Sequence, residues 1–285
     1  MIVITGATGY IGGKLTRELK RLGIPYLILS RSTSNIDIYN AEGIVSLDAD
    51  SSIESLTTKF KEHRITGIIH LASKFLVEHS ADEVEDLVLS NILMGAKIAE
   101  AAALAQVRWF LNVGTFWQHY VDLNYEPVNL YSASKQAFQD IGKYYASAKK
   151  FIFCNLKIAD TYGPDDHRRK IFNIWRDMVL SDQALEMSPG NQLIDVVHID
   201  DVITTLINLA YKLNGLHQPF AYLQEYFITS GRSVTLKELA QEYELAKSVK
   251  LNIHWGAKPY RSREVLKPVS SGIPIVAPRI NIFID

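Results

Sequence analysis

The sequence predicts an α/β protein built on a doubly wound parallel sheet, with a smaller lobe formed mainly by its C-terminal part. Three observations lead to this prediction. Short apolar runs alternate with amphipathic stretches through the first half of the chain, as right-handed strand–helix–strand crossovers require. The runs at 68–72 and 109–113 are almost continuously apolar, which is typical of parallel strands covered on both faces. A glycine-rich segment follows the first run, where a strand would turn into a helix.

The individual elements follow from the same alternation. We expect strands at 2–5, 25–30, 43–47, 67–72, 107–114 and 151–157, separated by helices at 10–22, 51–62, 82–104 and 129–148. After residue 160 the pattern predicts a turn at 162–166, helices at 168–181, 200–213 and 235–246, and strands at 221–229 and 249–255. The strand at 221–229 could rejoin the main sheet. The predicted domains are therefore residues 1–160 plus about 198–230, and a small lobe of about 161–197 and 231–285.

The first motif is the glycine set Gly6, Gly9 and Gly12, at the predicted junction of the first strand and the first helix. Because glycine has no Cβ atom, backbone amides and the helix N terminus can approach a pyrophosphate closely there. We therefore predict that this turn binds the diphosphate of a dinucleotide. Three neighbouring residues lie near the cofactor by position: Thr8, Tyr10 and Ile11.

The second motif is Tyr131 and Lys135, which lie four residues apart and so share one face of a helix. A cation beside a phenol favours the phenolate. We therefore expect Lys135 to lower the pKa of Tyr131 from its ordinary value of about 10. Such a pair can move a proton while a bound nicotinamide moves a hydride.

Together, in this order and context, the two motifs resemble the short-chain dehydrogenase/reductase superfamily, and in particular its extended branch of nucleotide-sugar epimerases, dehydratases and reductases. The resemblance covers roughly residues 1–230. It implies a Rossmann-type fold whose larger domain binds a nicotinamide dinucleotide and whose small lobe binds substrate. It also implies that Thr115 orients the reacting carbonyl beside Tyr131, that Lys135 holds the nicotinamide ribose, and that Asn91 helps to organise a proton-relay water. Asn91 could instead be an ordinary exposed helix residue.

The resemblance places further residues beside the cofactor. Asp48 and Ala49 would lie near the adenine, although a solvated turn is an equally simple interpretation of Asp48. Leu71 and Ala72 would line the nicotinamide-ribose side, while the preceding His70 could be a histidine of the core. The last residue that the resemblance places near the cofactor is Ile158.

The second predicted strand ends without the acidic residue that would bind both ribose hydroxyls of NAD. It offers Ser30, Arg31 and Ser32 instead. A guanidinium can pair with a ribose 2′-phosphate, which a carboxylate would repel, so NADP is preferred and NAD remains possible. Alternatively, Arg31 stacks on the adenine or faces solvent.

The two residues after Thr115 bear on the reaction. Dehydratases of the family carry an Asp-Glu pair there, because eliminating water needs an extra acid and base. Here the pair is Phe116 and Trp117, so simple reduction of a ketone fits better than dehydration. An epimerase with tightly bound NAD is the nearest alternative. A non-catalytic dinucleotide sensor is a third, but a sensor would not need Thr115, Tyr131 and Lys135.

The residues expected to bind the substrate come from several parts of the chain. Four residues are expected to shape a hexose pocket, unless they belong to an apolar loop packed under the small lobe: Phe116, Trp117, His119 and Tyr120. Asp160 stands where the family has an asparagine that binds the substrate diphosphate, and Ile194 where it commonly has an arginine. Several basic residues could substitute, with Arg261 and Arg263 favoured: Arg168, Arg169, Lys258, Arg261 and Arg263.

Segments 116–120 and 125–131 look similar to reductases that make CDP-linked deoxysugars such as abequose or paratose for bacterial surface polysaccharide, including lipopolysaccharide O antigen. The leading hypothesis is therefore NADPH-dependent reduction of the 4-keto group of a nucleotide-linked 6-deoxyhexulose, with CDP as the expected nucleotide.

Composition and charge bear on the partners, metal sites and location of the protein. The formal net charge of -1 over 285 residues argues against general affinity for nucleic acid or anionic membranes. Cys154 is the single cysteine, which excludes an intramolecular disulfide and a cysteine zinc site, and no metal is expected. With no leader and no uninterrupted apolar span of membrane length, we expect a cytoplasmic protein. Amphipathic faces at 82–104 and 129–148 permit a homodimer.

Overall fold

The computed structural model describes residues 1–148, 150–181, 183–216 and 223–277. In chain order its strands are β1 (Ile2–Thr5), β2 (Tyr26–Ser30), β3 (Ser46–Asp48), β4 (Gly67–His70), β5 (Trp109–Thr115), β6 (Ile152–Ile158), β7 (Asp160–Tyr162), β8 (Leu185–Met187), β9 (Leu193–Ile194), β10 (Val196–His198), β11 (Leu223–Thr229), β12 (Val234–Thr235), β13 (Ile253–Trp255) and β14 (Ile273–Val276). Its α-helices are α1 (Tyr10–Arg21), α2 (Asp37–Ala41), α3 (Ile53–Glu62), α4 (Val84–Val88), α5 (Met94–Leu104), α6 (Leu130–Ser147), α7 (Ile171–Ser181), α8 (Ile199–Gly215) and α9 (Leu236–Lys247).

The central element of the described residues is an eight-stranded sheet in the order β14-β11-β6-β5-β4-β1-β2-β3, and all its neighbouring strands run parallel. The order β3-β2-β1-β4-β5-β6 is that of a Rossmann fold, in which the strand order reverses between β1 and β4. The predicted doubly wound parallel sheet is therefore confirmed. The strand predicted at 221–229 also rejoins the sheet, as β11 beside β6.

Helices cover both faces of this sheet, which is why β4 and β5 are apolar along their whole length. Leu15 of α1 and Leu206 of α8 pack with Ile4 and Ile28 on one face. On the other face, Phe138 of α6 packs with the residues of α3 and α5 that point to the sheet. Each buried strand therefore contributes side chains to two separate cores.

The small lobe is assembled from pieces that are distant in the sequence. Strand β7 pairs with β10, β9 with β12, and β8 with β13. Helices α7 and α9 enclose a core that contains Trp175, Leu239 and Tyr243. This arrangement places one wall of the lobe over the carboxyl end of the main sheet.

Several short elements were not predicted from the sequence. Helix α2 and strands β7, β8, β9, β10 and β12 have two to five residues, too few to show a periodic pattern. The predicted strand at 249–255 is shorter, at Ile253–Trp255. Residues 273–276 were assigned to the small lobe but form β14, which pairs with β11 of the main sheet. Pro274 obscures this strand in the sequence, because proline is tolerated in edge strands but weakens the pattern.

The stretch Ala81–Leu104 is one continuous helical segment. It comprises a 3-10 turn at Ala81–Glu83, α4, a π-helical turn at Leu89–Leu93, and α5. In the described part of the chain it is the one helix long and apolar enough to cross a membrane, with a mean hydropathy of 1.5. However, 39% of its apolar window is buried inside the protein, and a core helix passes the same test of length and composition.

Candidate active site

The glycine-rich turn has the shape that a dinucleotide diphosphate requires. Gly6 has a φ of +69°, and a Cβ atom there would lie 2.7 Å from the amide nitrogen of Ala72. A Cβ atom on Gly12 would lie 2.1 Å from the carbonyl oxygen of Gly6. Gly9 is the N-cap of α1, and no side chain in the described part of the chain caps that end. The free amides of the first turn therefore fit an anionic group.

Thr5 fixes the backbone on the opposite side of this crevice. Its hydroxyl oxygen accepts hydrogen bonds from the amides of Leu71 (3.1 Å) and Ala72 (3.0 Å), so its proton is donated to Nδ1 of His70 at 2.9 Å. Burial lowers the pKa of His70 to about 3, so the ring is neutral. His70 is thus a histidine of the core, and Leu71 and Ala72 remain the predicted cofactor neighbours.

At the end of β2, the hydroxyls of two of the three predicted cofactor residues form hydrogen bonds to other side chains of the protein. The Ser30 hydroxyl bonds to that of Ser46 at 2.9 Å. The amide and hydroxyl of Ser32 both donate to the carboxylate of Asp50, at 3.1 and 2.9 Å. The predicted cofactor role of Ser30 and Ser32 stays a prediction, and the Arg31 side chain is exposed at the strand end.

Asp50 is a residue of this region that the sequence interpretation missed. Hydrogen bonds from Ser32 hold its pKa below the usual range, with smaller effects of Lys97 and Arg31. The predicted adenine neighbour Asp48 accepts a hydrogen bond from the Asp50 amide at 2.9 Å, so it forms a local turn. Arg31 and Lys97 thus lie near Asp50 at the end of β2, with Asp48 as a second carboxylate.

Tyr131 is the second residue of α6, whose N terminus is fixed to the loop after β4. Asn129 caps the helix by accepting the Ser132 amide at 2.9 Å. Its Nδ2 atom also donates to the carbonyl oxygens of Leu76 (3.1 Å) and Val77 (2.9 Å). The phenol is therefore held beside the carboxyl ends of β4 and β5, where parallel sheets bind their ligands.

Burial dominates the ionisation of the Tyr131–Lys135 pair. It raises the pKa of Tyr131 to about 12, although the Ser73 hydroxyl and Arg168 act in the opposite direction. It lowers the pKa of Lys135, which is 3% exposed, to about 8. The expectation that the Tyr131 pKa is lowered is therefore wrong for this structure, because loss of hydration outweighs the Ser73 hydrogen bond and the charge of Arg168. Tyr131 is a neutral phenol at neutral pH.

Asn91 lies in the π-helical turn and is 1% exposed, so the alternative of an exposed helix residue is wrong. Its Oδ1 atom accepts the amide of Lys74 at 2.7 Å. Its Nδ2 atom donates to the carbonyl oxygen of Lys74 (3.0 Å) and to the Ser134 hydroxyl (2.9 Å). Ser134 in turn donates to the carbonyl oxygen of Tyr131. Asn91 thus joins the β4 loop to the helix that carries Tyr131, and its role with a water stays a prediction.

Thr115 ends β5 and caps the short 3-10 turn Phe116–Gln118. Its hydroxyl oxygen accepts the amide of Trp117 at 3.3 Å, and its own amide donates to Oε1 of Gln118 at 3.0 Å. The hydroxyl proton is thereby left to donate to another oxygen. This geometry fits the predicted role of orienting a carbonyl.

The two aromatic residues after Thr115 lie in different environments. Phe116 is 7% exposed, and its ring packs edge-on against Phe227 at 5.7 Å, so it belongs to the core and not to a hexose pocket. Trp117 lies 5.6 Å from Phe75, whose ring contacts Tyr131 edge-on at 5.0 Å. Trp117 thus lies on the side of Tyr131, and its contact with a sugar stays a prediction.

A cavity of about 420 Å³ adjoins these aromatic rings, between the sheet and the small lobe. This volume lies within the range of small-molecule sites. The cavity has an apolar wall from both domains and a group of charged residues. The principal lining residues are Phe75, Trp117, Asp160, Arg169, Lys170, Leu185, Met187, Lys258, Arg261 and Glu264.

The charged residues of the cavity are held by one another. Lys170 bonds to Asp160 at 2.7 Å, and Glu264 accepts two hydrogen bonds from Arg261, at 2.7 and 3.0 Å. Burial would raise the pKa of Asp160, but Lys170, Arg168 and Arg261 hold it below the usual range. The Arg261 guanidinium also lies over the Trp117 ring at 5.6 Å. Asp160 and Arg261 thus lie where the sequence predicted substrate-binding residues.

Two other predicted substrate arginines have different partners. Arg168 donates to both carboxylate oxygens of Asp166, at 2.8 and 2.7 Å, and lies over the Tyr10 ring at 4.4 Å. It therefore does not line the cavity. Arg263 bonds to Glu126 at 2.8 Å and lines an adjoining cavity of about 360 Å³.

Other cavity residues were not singled out from the sequence. The cavity residue Phe75 and Ser73, whose side chain bonds to Tyr131, follow the fourth strand, and their position after a strand end could have indicated them. Arg169 and Lys258 were considered there but not favoured. For Leu185 and Met187 no sequence signal exists, because they belong to a three-residue strand of the small lobe. Among the described residues, no three His, Cys, Asp or Glu side chains lie close enough together to hold a metal ion.

Comparison with known proteins identifies the family of the chain. The model of the NAD dependent epimerase/dehydratase family matches residues 2–221. The chain belongs to this family. Curated relatives include the CDP-abequose synthase of Salmonella typhimurium, 27% identical over 239 residues that cover 83% of this chain and 77% of the relative. The CDP-abequose synthase of Yersinia pseudotuberculosis is 28% identical over 269 residues, with coverage of 94% and 91%.

Solved structures of other proteins have a similar fold. MoeE5 in complex with UDP-glucuronic acid and NAD aligns with a TM-score of 0.77 at 19% identity, covering 95% of this chain and 89% of that one. The UDP-glucose 4-epimerase of Thermus thermophilus in complex with NAD aligns with a TM-score of 0.76 at 21% identity, with coverage of 95% and 90%. The family resemblance and the Rossmann-type fold predicted from the sequence are thus confirmed.

Proposed function

We propose that the protein is an NADPH-dependent reductase of the 4-keto group of a nucleotide-linked 6-deoxyhexulose, with CDP as the nucleotide. The observation that carries the proposal is the neutral Tyr131 phenol at the carboxyl end of the sheet, in a site where Thr115 has a hydroxyl proton to donate and no acid pair follows it. Reduction of a ketone requires a proton donor of this kind and no further carboxylate. The CDP preference is supported by the names of the relatives from Salmonella and Yersinia.

A reduced nicotinamide dinucleotide, held by the turn of Gly6, Gly9 and Gly12, would supply the hydride that reduction of a ketone requires. The Thr115 hydroxyl donates a hydrogen bond to the carbonyl oxygen and holds it beside Tyr131. Tyr131 transfers its phenolic proton to the same oxygen as negative charge develops there. The Lys135 ammonium, one helical turn away, stabilises the resulting phenolate until a proton from solvent restores the phenol.

NADPH is the proposed reductant because the exposed Arg31 side chain lies at the end of β2. Its guanidinium would pair with the dianionic 2′-phosphate, which NAD lacks. The carboxylates of Asp48 and Asp50 in the same region oppose this preference, so the selectivity for NADPH should be moderate. NAD remains the alternative cofactor.

The small lobe is proposed to bind the nucleotide diphosphate through Arg169, Lys258 and Arg261, which line the cavity. The apolar residues Leu185 and Met187 lie on the same wall. Trp117 and Phe75 would then contact the sugar next to Tyr131. This arrangement gives each charged group of the substrate a partner of opposite charge.

The test is a direct assay of purified protein with NADPH and a CDP-4-keto-6-deoxyhexose, followed by the loss of NADPH absorbance. We expect turnover that Tyr131→Phe reduces at least about a thousandfold, because the proton donor is removed. The matched control Tyr144→Phe changes an exposed tyrosine of the same helix and should retain full activity. Failure to oxidise NADPH with any nucleotide keto-sugar would refute the proposal.

An epimerase with retained NAD is the second candidate, favoured by the family description and by a relative named UDP-glucose 4-epimerase. Denaturing the purified protein and identifying any released nucleotide distinguishes the two. Stoichiometric NAD favours the epimerase. An exchangeable NADPH site favours the reductase.

We further propose a homodimer that forms through Ala81–Leu104 and α6. Val84, Val88, Leu93 and Tyr144 are between 37% and 66% exposed on these helices. Pairing them across a two-fold axis would cover apolar surface that a monomer leaves in water. We also propose a cytoplasmic location, which the proposed use of NADPH and a nucleotide sugar supports.

A further inference from the structure

Lys157 is an unusual residue for the middle of a parallel sheet. It belongs to β6, is 1% exposed, and contacts groups from three other parts of the chain. Its Nζ atom lies 2.9 Å from Nε2 of His119, 2.7 Å from the hydroxyl of Ser271 and 3.6 Å from the carboxylate of Glu225. A buried ammonium is costly unless its partners are well placed, so these contacts must compensate for its loss of hydration.

The hydrogen bonds define the protonation of His119. Its Nδ1 atom lies 3.0 Å from the carbonyl oxygen of Asn124, which can only accept, so Nδ1 carries the proton. The Nε2 atom therefore accepts from Lys157, and the Ser271 hydroxyl lies 3.1 Å from the same atom. A doubly protonated His119 could not accept this bond and would place a second positive charge against Lys157.

His119 and Ser271 belong to segments that line the substrate cavity. His119 follows Trp117 in the segment 116–126. Ser271 ends the segment 261–271, which begins with Arg261. The segments also contact each other through Arg263, which bonds to Glu126 at 2.8 Å. Lys157 thus connects both segments to the sheet at one point.

We propose that Lys157, His119 and Ser271 form a latch that holds segments 116–126 and 261–271 in the conformation that binds substrate. The latch residues are positioning residues, since they act through Trp117 and Arg261. The proposal that they affect substrate affinity rests on the proposed function, whereas the closure of the two segments does not.

The latch should open in acid. The groups that face His119 are Lys157 on β6, Glu225 on β11 and Asp122 on its own loop, and Lys143 on α6 reaches Glu225 at 3.2 Å. Burial lowers the pKa of His119 and Lys157 acts in the same direction, whereas the hydrogen bond to the Asn124 carbonyl oxygen, Glu225 and Asp122 oppose it. The folded protein favours neutral His119. The contribution of His119 to closure is therefore complete at neutral pH and is lost as the pH falls below about 6.5.

Hydrogen–deuterium exchange of the full-length protein tests the latch. Lys157→Met removes the contacts to His119 and Ser271, whereas Lys143→Met is a matched control that removes the other lysine paired with Glu225. We expect Lys157→Met to accelerate exchange at least about tenfold in both segments, which corresponds to the loss of one buried charged hydrogen bond. The KM for the keto-sugar should rise about tenfold, with kcat within about threefold. The control should resemble the wild type.

A second variant keeps the proposal testable if Lys157→Met does not fold. His119→Gln can still accept from Lys157 and donate to Asn124, but it cannot titrate. At about pH 5.5 the wild type should exchange faster in both segments than at about pH 7.5, after correction for intrinsic rates, and His119→Gln should not. Protection that is unchanged in Lys157→Met, or acid opening that persists in His119→Gln, would overturn the latch. Absence of reductase activity would refute the proposed function and leave the exchange result valid.

Discussion

At the scale of single residues, the chemistry of the candidate site depends on burial more than on neighbouring charge. The sequence correctly indicated Tyr131 and Lys135 as a pair on one helix face, but it gave the wrong direction for the Tyr131 pKa. Sequence spacing shows which charges are neighbours. It does not show how much water the fold removes from each group, and that effect is larger here.

Lys135→Met should stabilise the protein without cofactor while abolishing its activity. The decrease of the Lys135 pKa from 10.5 to about 8 corresponds to roughly 3 kcal/mol of lost stability at neutral pH. The stabilisation by methionine should be complete below about pH 8 and disappear as the pH rises to about 10.5, where the unfolded lysine also loses its proton.

Denaturant unfolding at several pH values measures this effect. Lys143→Met, a half-exposed position on the same helix, should change the free energy of unfolding by less than about 1 kcal/mol. A variant at position 135 that is less stable than the wild type at neutral pH would contradict the assignment of burial as the dominant effect.

Replacing Arg31 should weaken the preference for NADPH. Arg31→Ala should lower the ratio of kcat/KM for NADPH to that for NADH by about 10- to 100-fold, because one charge-assisted contact to the 2′-phosphate is lost. Asp50→Asn should raise the ratio, since it removes one carboxylate of this region. Arg21→Ala, at the far end of α1, serves as the control. Equal ratios in Arg31→Ala and the wild type would remove the main argument for NADPH.

At the scale of elements, the sequence predicted the long strands and helices of the main sheet and missed the short ones. It also treated residues 82–104 as one regular helix, whereas the structure interrupts the segment with a π-helical turn. Periodicity cannot reveal one extra residue in a turn. Such turns recur at functional sites, and this one contains Asn91.

Asn91→Ala should destabilise the fold and slow the reaction. The substitution leaves the amide and carbonyl of Lys74 and the hydroxyl of Ser134 without their partner. We expect a loss of about 1–3 kcal/mol in the free energy of unfolding. The expected decrease in kcat is about tenfold or more, because the helix start that carries Tyr131 is no longer fixed. The exposed Asn40→Ala in α2 should have neither effect, and normal kcat in Asn91→Ala would contradict the positioning role.

At the scale of the whole molecule, sequence reasoning located the carboxyl edge of the sheet as the site but not the wall that the small lobe contributes. The glycine turn, Thr115 and Tyr131 were predictable because each occupies a fixed place in the strand order. The sequence did not distinguish Arg168 from Arg169 and Lys170. The path of the loop before α7 decides which of these side chains bonds to Asp166.

The proposed dimer predicts that Leu93→Glu yields a monomer. Leu93 is 48% exposed in the π-helical turn, and a buried carboxylate at an apolar interface would be unpaired. Sedimentation of wild type and variant measures the mass directly. Leu245→Glu, which changes the 82% exposed leucine of α9, should leave the dimer intact. A wild-type protein that sediments as a monomer at micromolar concentration would exclude the dimer.

The central claim, that Tyr131 protonates a carbonyl oxygen while reduced cofactor transfers hydride, is tested most directly with NADPH carrying deuterium at both C4 positions. Incubation with a CDP-4-keto-6-deoxyhexose should give a product that contains one deuterium on the former carbonyl carbon, as shown by mass spectrometry. Tyr131→Phe should give almost none. A product without deuterium, or undiminished labelling by Tyr131→Phe, would contradict the account.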